Sequence, residues 1–463
     1  MIIKGAKAIV EKNNELLLLE PAFIGIEGDS ISYVGTSPPE DYEAPVIDVP
    51  DGLILPGFVD IHYHADSPLT KGFIEDVGSP NIDGSILYEH LPAIYASTTI
   101  EEWIPLARLT IAEMIRNGIT TCVEFNSYFP EELASILTEM GLRGYIAPET
   151  NSLKGCPYSL DGKIVIIEEI DNVHLFDKLN KNLELIDKLN GTNNNLIRVT
   201  LGLTEPPACN PEILREVRKF ADKLKVPITM HAAETKFEKQ YIRERYNRTS
   251  IEYLDENGIT GEDVILGHAV FTTESDRDIL TKTRTSVAHC PTVFARVGQA
   301  LHSLHQYLMR GINVGIGTDT FPQDMIHEMR NATVLSKIMD EDFLSATSLD
   351  VFKCATVNGA KALGRDDIGR IRIGAKADII VVKLDDLNLV PIRDPLKVLV
   401  NCGNGHNVTT TIVNGKVLMH GKKLIACEED IVHEAQAAAK RVWKQSRVLD
   451  KLSPISLKTW QQK

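Results

Sequence analysis

The chain has no Cys-x-x-Cys pair. Its cysteines (Cys122, Cys156, Cys209, Cys290, Cys354, Cys402 and Cys427) are scattered and odd in number. That argues against a disulfide framework and suits free thiols in a reducing compartment. No apolar run approaches the roughly 20 residues that a membrane span needs. The opening stretch has no long apolar core and no small-residue cleavage site, so no secretory leader is expected and a cytoplasmic location is. An excess of positive charge is also missing. The formal net charge is -15, which disfavours nonspecific binding to nucleic acid or to anionic lipid and maintains solubility. There are no internal repeats and no low-complexity segments.

What is present is a globular composition. The 463 residues are 43% hydrophobic and 24% charged, enough for one large domain with a smaller one, or one elaborated barrel. Such a core needs no structural metal, so a metal site in this chain points to catalysis. The first 50 residues read as short strands punctuated by Gly, Asn and Asp, with GDSISYVG resembling a hairpin. After the apolar run Leu53–Ile61, helical and β stretches alternate. Helices are expected at Ile100–Asn117, Glu131–Met140, Leu175–Leu189, Glu212–Leu224 and Leu301–Met309, with β runs such as Gly118–Phe125 and Pro227–His231 between them. That alternation over about 250 residues predicts a parallel (β/α)8 barrel. Beyond about residue 370 the β character returns, and Asn414-Gly415 between alternating strands is a hairpin signal. The expected class is α/β: a barrel over residues 56–369, and a small β-sandwich domain built from residues 1–55 and 370–463, closed by an amphipathic helix at Glu428–Ser446.

Several expected strands end in a potential metal ligand: Ile61-His62-Tyr63-His64, Met230-His231, Gly267-His268, Ala288-His289 and Thr318-Asp319. In a barrel of this kind the active site lies at those ends. His-x-His alone is weak, since roughly 0.4 such pairs arise by chance at this histidine content. Its spacing has a use, because alternate residues of a strand share a face. Imidazole is the commonest neutral ligand, and a carboxylate from Asp319 would give a partly neutralised site for a divalent cation.

LPGFVDIHYH, TMHAAET, LGHAV, VAHCPT and GIGTD follow in that order, and then ATVNGAKALGRDDIGRIRIGAKADIIVV. Together, over nearly the whole chain, they resemble the amidohydrolase superfamily, in its branch of mononuclear deaminases and triazine hydrolases. The resemblance implies that His62, His64, His231 and Asp319 bind one divalent ion per subunit, zinc or iron, which lowers the pKa of bound water. It implies that Asp319 orients that water and takes its proton, and that Glu234 passes the proton to the leaving nitrogen. His268 would polarise the substrate or stabilise the tetrahedral intermediate. It also suggests a homodimer or larger homo-oligomer. Relatives with two metals bridge them with a lysine from the fourth strand. Here that strand, Ile197–Thr204, has none, which argues for a single ion.

Two departures bear on the substrate. Thr204 stands where many deaminases carry a ring-contacting His, and Lys71-Gly72 replaces Arg-Gly. Lys71, Thr204, His289 and Arg296 are the expected substrate contacts, each weighed against a packing role. Asp324 is expected to cap the following helix, and Glu328-Met329-Arg330 to lie on that helix's exposed face. His302 and His305 are read as surface or packing residues. The expected activity is hydrolysis of a nonpeptide C–N bond in a small nitrogenous compound, chiefly deamination or amine displacement on a heterocycle. Hydrolysis of an acyclic urea, amide or carbamate, and halide displacement on a triazine-like ring, remain open. So does a noncatalytic scaffold on the same barrel.

Overall fold

The structure is a computed structural model, and it describes residues 1–39, 45–72, 91–152, 158–160, 163–165 and 172–447. Cys156, His90 and part of the polar stretch after Lys71 lie outside the described residues.

Eight parallel strand positions form the barrel. They are Phe58–Tyr63, Ile119–Ser127, Arg143–Thr150, the broken pair Ile197–Val199 and Leu201–Leu203, Ile228–Ala232, Val264–His268, Ser286–His289 and Val314–Ile316. Neighbours pair in sequence order. The first and last meet through an isolated parallel bridge between Tyr63 and Asp319. The interior is packed with Val59, Ile61, Val123, Phe125, Tyr145, Ile265 and Ala288. Strand side chains such as Ile228 and Leu266 join helix residues such as Val217 in the larger core under the surrounding helices.

The helices follow the sequence signals closely. Ile100–Arg116 starts at a Thr99/Glu102 capping box, and Pro211–Leu224 starts at Asn210, whose side chain accepts from the Ile213 amide. The expected Leu301–Met309 helix begins only at Leu304, because Ser303 takes the cap position and accepts from the Gln306 amide. Asp324 caps Met325–Asp340 as expected. The reading of Glu328-Met329-Arg330 as an exposed face is wrong. Glu328 and Met329 are fully buried, and Arg330 donates to the carbonyls of Val400 and Gly403. The helix lies under a neighbouring layer there, so the charged residues face protein rather than water.

Strands from the two chain ends share one nine-stranded mixed sheet. Val46–Pro56 sits between Ile2–Lys12 (parallel) and Ile379–Lys383 (antiparallel). The Asn414-Gly415 hairpin forms, pairing Val413 with Lys416. This sheet has its own core around Ile3, Ile24, Ile54, Ile379 and Ile412. The helix Glu428–Ser446 returns to the barrel and packs Ala435, Ala438 and Val442 against Leu106.

A buried ion pair fastens the terminal sheet to the barrel floor. Arg143, at the start of the third barrel strand, donates to both carboxylate oxygens of Asp378 at 2.9 and 3.1 Å. Both side chains are sealed from solvent. Asp378 also accepts the Asn414 amide of the hairpin at 2.8 Å. Removing one partner leaves the other charge desolvated. Arg143→Met is therefore expected to cost about 3–5 kcal/mol in urea unfolding, and a cost below about 1 kcal/mol would show that the pair is not the fastening.

Candidate metal centre

His62 lies at the end of the first barrel strand, and His64 just past it. His62 is completely buried. Its ring occupies a space that two glycines leave open. A Cβ on Gly267 would lie 3.0 Å from His62 Cε1 and Nδ1, and one on Gly317 would lie 2.6 Å from His62 Cβ. Phe125 of the second strand packs against the ring at 4.0 Å between centroids.

Backbone carbonyls orient the next two histidines. His64 Nδ1 lies 3.0 Å from the Phe125 carbonyl oxygen, and His231 Nδ1 lies 2.8 Å from that of Thr204. With Nδ1 donating, each ring turns Nε2 inward as an unprotonated donor. The two Nε2 atoms are 3.4 Å apart. A tetrahedral ion with bonds of about 2.0–2.1 Å needs donors about 3.3–3.4 Å apart. Asp319 completes the cluster, with its carboxylate 3.9 Å from His62 Nε2, 3.7 Å from His64 Nε2 and 3.8 Å from His268 Nε2. Glu234 stands 3.9 Å from His268 Nε2.

The backbone is bent to make this cluster. Ala233, His268, Ala269 and Asp319 all have positive φ, at 51°, 74°, 51° and 59°. Such values are uncommon outside glycine and concentrate at functional sites. Each follows or ends a barrel strand, where the turn redirects the chain over the barrel mouth. Asp60 holds this region from beneath. Its carboxylate accepts the amides of His62 and Thr318 and the Thr318 hydroxyl, at 3.1, 3.2 and 2.6 Å, while burial pushes its pKa up to about 7.

Burial sets the charge state of the cluster. Desolvation holds His64 and His231 down to about 4, and His62 and His268 well below the usual imidazole value. These rings are neutral at physiological pH, the form that ligates. Burial raises Asp319 to about 6, opposed by His231 and Arg296.

His62, His64, His231, His268, Glu234 and Asp319 thus converge. His289 is buried on the neighbouring strand, where desolvation holds it down to about 4. The other expected contacts are engaged nearby. Lys71 pairs with Glu113 at 2.5 Å. The Thr204 hydroxyl reaches Glu149 at 3.4 Å. Arg296 donates to the Phe321 carbonyl and the Thr320 hydroxyl, its guanidinium 4.0 Å over the Phe321 ring.

A metal ion fits this donor set. Both ring nitrogens of His62 are buried with no hydrogen-bond partner among the described residues, an arrangement that costs about 1–3 kcal/mol per polar atom unless something coordinates it. Two groups of potential ligand atoms share that ring: His62, His64 and His231, and His62, His268, Cys290 and Asp319.

Sequence reasoning missed Asp60, Cys290 and Glu238. Glu238 carried a readable signal, since Thr235-x-x-Glu238 has the spacing of a capping box. Its fully buried carboxylate accepts the amides of Ala233 and Glu234, both at 2.7 Å, and so fixes the turn that presents Glu234.

Residues 53–418 match the model of the amidohydrolase family. The chain belongs to that family. It is 30% identical over 448 residues to a 5-methylthioadenosine/S-adenosylhomocysteine deaminase of Caldanaerobacter subterraneus subsp. tengcongensis, covering 96% of this chain and 98% of the relative. Among solved structures it superposes on a zinc-bound adenosine deaminase from Xanthomonas campestris with a TM-score of 0.86 at 24% identity, over 96% of this chain and 98% of the other. It also superposes on a zinc-complexed atrazine chlorohydrolase from Arthrobacter aurescens, with a TM-score of 0.82 at 22% identity, over 95% and 99%. This amidohydrolase is a metal-dependent enzyme acting on C–N bonds other than peptide bonds, which sets aside the scaffold reading. No helix among the described residues is long and apolar enough to cross a membrane.

Glu238→Ala should leave metal content unchanged while lowering kcat, by about 100-fold if Glu234 shifts by about 1 Å. Glu238→Gln, which keeps one acceptor oxygen, should recover part of that loss. Equal kcat in wild type and Glu238→Ala would remove the positioning role.

Proposed function

We propose that this amidohydrolase deaminates a small heterocyclic amine, of the adenosine-derivative type named for its relative, at a centre holding one zinc ion. The convergence of His62, His64, His231 and Asp319, with the unpartnered ring nitrogens of His62 at its middle, carries this reading. When bound, the cation supplies Lewis-acid activation of the attacking water. Asp319 lies within reach of both His64 and His268, and it orients the nucleophile and accepts its proton. Glu234, held by Glu238, carries the proton to the departing nitrogen. His268 is kept neutral by burial, so it donates a hydrogen bond to the oxygen that gains charge, from the same side as Asp319. Zinc is favoured over iron because the two Nε2 atoms have tetrahedral spacing. The active unit is a homodimer or larger.

A second reading rests on Thr204. Its hydroxyl points to Glu149, at the position where a ring-contacting His is expected. A site without that ring contact also accommodates an acyclic urea, amide or carbamate. A substrate panel with ammonia, amine and halide release assayed separately decides between them, and ammonia from an adenosine-type nucleoside is the expected product. Ammonia or amine from acyclic compounds alone would replace the first reading with the second.

Asp319→Asn is expected to abolish turnover while circular dichroism and the unfolding midpoint stay near wild type, and unchanged turnover would sink the assigned role. Metal affinity should also depend on pH. Ligation requires the Asp319 carboxylate, and that group takes a proton as pH falls through about 6. Chelator competition on the apoprotein should therefore show affinity constant above about pH 7 and falling below about pH 6. A flat profile would exclude Asp319 from the ligand set.

A further inference from the structure

Beside the turn that follows His268 lies a second cavity of about 460 Å³, lined by Lys236, Lys239, Phe271, Arg277, His302 and Met339 among others. It shares no lining residue with the metal centre. Its charge runs against that of the chain, whose formal net charge is -15.

Arg277 is the telling residue. It is only 7% exposed. Its Nη1 makes two long contacts, both 3.4 Å, to the carbonyl and hydroxyl of Thr272. It also faces the Tyr307 hydroxyl, a neutral partner, and its Nε is buried with no partner among the described residues. The adjacent carboxylate, Asp276, is committed elsewhere. It caps its helix by accepting the Thr273 amide at 2.7 Å and takes the Thr249 hydroxyl at 2.5 Å. Two other sheltered arginines of this chain do have carboxylate partners, Arg143 with Asp378 and Arg365 with Asp367. Among the described residues no carboxylate lies within ion-pair distance of this guanidinium, and an entering anion would offset the cost of burying it. The planar fork of Arg matches two oxygens of a carboxylate or phosphate. Lys236 and Lys239, exposed at the rim, add two further cations.

We propose that this cavity binds the oxyanion group, phosphate or carboxylate, of a small molecule. That group sits on Arg277, with Lys236, Lys239 and His302 around it and Phe271 and Met339 against its apolar part. The cavity wall is continuous with the catalytic turn. The Phe271 amide donates to the Ala233 carbonyl at 2.8 Å, and the Ala269 amide to that of Ala232 at 3.0 Å. The anion belongs either to a tail of the substrate or to a separate ligand.

The probe is inorganic phosphate, titrated calorimetrically into the metal-loaded enzyme. One saturable site per chain is expected. Lys236→Ala/Lys239→Ala, which alters only exposed side chains, should weaken binding by about tenfold or more, and Arg277→Gln should abolish it. The lysine variant keeps the test decisive if Arg277→Gln does not fold. Competition between phosphate and an active panel substrate would identify a substrate tail, whereas phosphate binding without any effect on KM would identify a separate ligand. Absence of saturable binding, or equal affinity in wild type and the lysine variant, would overturn the proposal. So would a lysine variant that loses self-association instead of phosphate affinity, since the cavity would then belong to a second copy of the chain.

Discussion

The structure depends on a short backbone closure between its first and last barrel strands. The Asp319 amide donates to the His62 carbonyl, and the His64 amide donates to the Asp319 carbonyl, both at 2.8 Å. These two bonds complete the ring of strands at the level where the proposed ligands sit. Closing the barrel and assembling the centre are therefore one event. A barrel whose first strand slipped by one residue would turn His62 out of its glycine-lined slot and break the closure together.

Burial does most of the electrostatic work at the centre. Four imidazoles share a small volume, and protonating any of them is opposed by desolvation, joined at His62, His231 and His268 by the neighbouring rings. The cluster therefore stays neutral, with the carboxylates of Asp319 and Glu234 facing its rings. The carbonyls of Phe125 and Thr204 then select the ring faces of His64 and His231. These are main-chain contacts, so the identity of residue 204 can vary without disturbing the ring it orients. That separates the orientation of the His231 ring from the side chain carried at position 204.

The barrel was legible because hydrophobic runs and helical periodicity alternate without interruption from Leu53 onward, and because each candidate ligand falls where a run ends. The helix Glu428–Ser446 and the Asn414-Gly415 hairpin were legible from local pattern alone. What depends on a third element was not. Glu328 looks like a solvated helix residue until a neighbouring layer covers it. The clearance that Gly267 and Gly317 give His62 joins three strands and leaves no local trace. Glu238 follows a capping-box spacing, but its carboxylate also takes the two amides before the expected one, which the left-handed turn at Ala233 brings within reach. Lys71 and Arg296 were named by position along the chain, whereas their partners, Glu113 and the loop after the last strand, come from folding.

The terminal sheet has a consequence for how the chain is made. Val46–Pro56 leaves the ribosome early with one edge paired to Ile2–Lys12. The strand that covers its other edge, Ile379–Lys383, arrives only after the whole barrel has been synthesised. Until then an apolar edge built from Leu53, Ile54 and Leu55 stays open, the kind of surface that recruits other strands. Asp378, the residue just before the late strand, carries the ion pair to Arg143. The nascent chain thus holds an unpaired arginine on its barrel floor until its last fifth is translated, so completion of the sheet and neutralisation of that charge coincide.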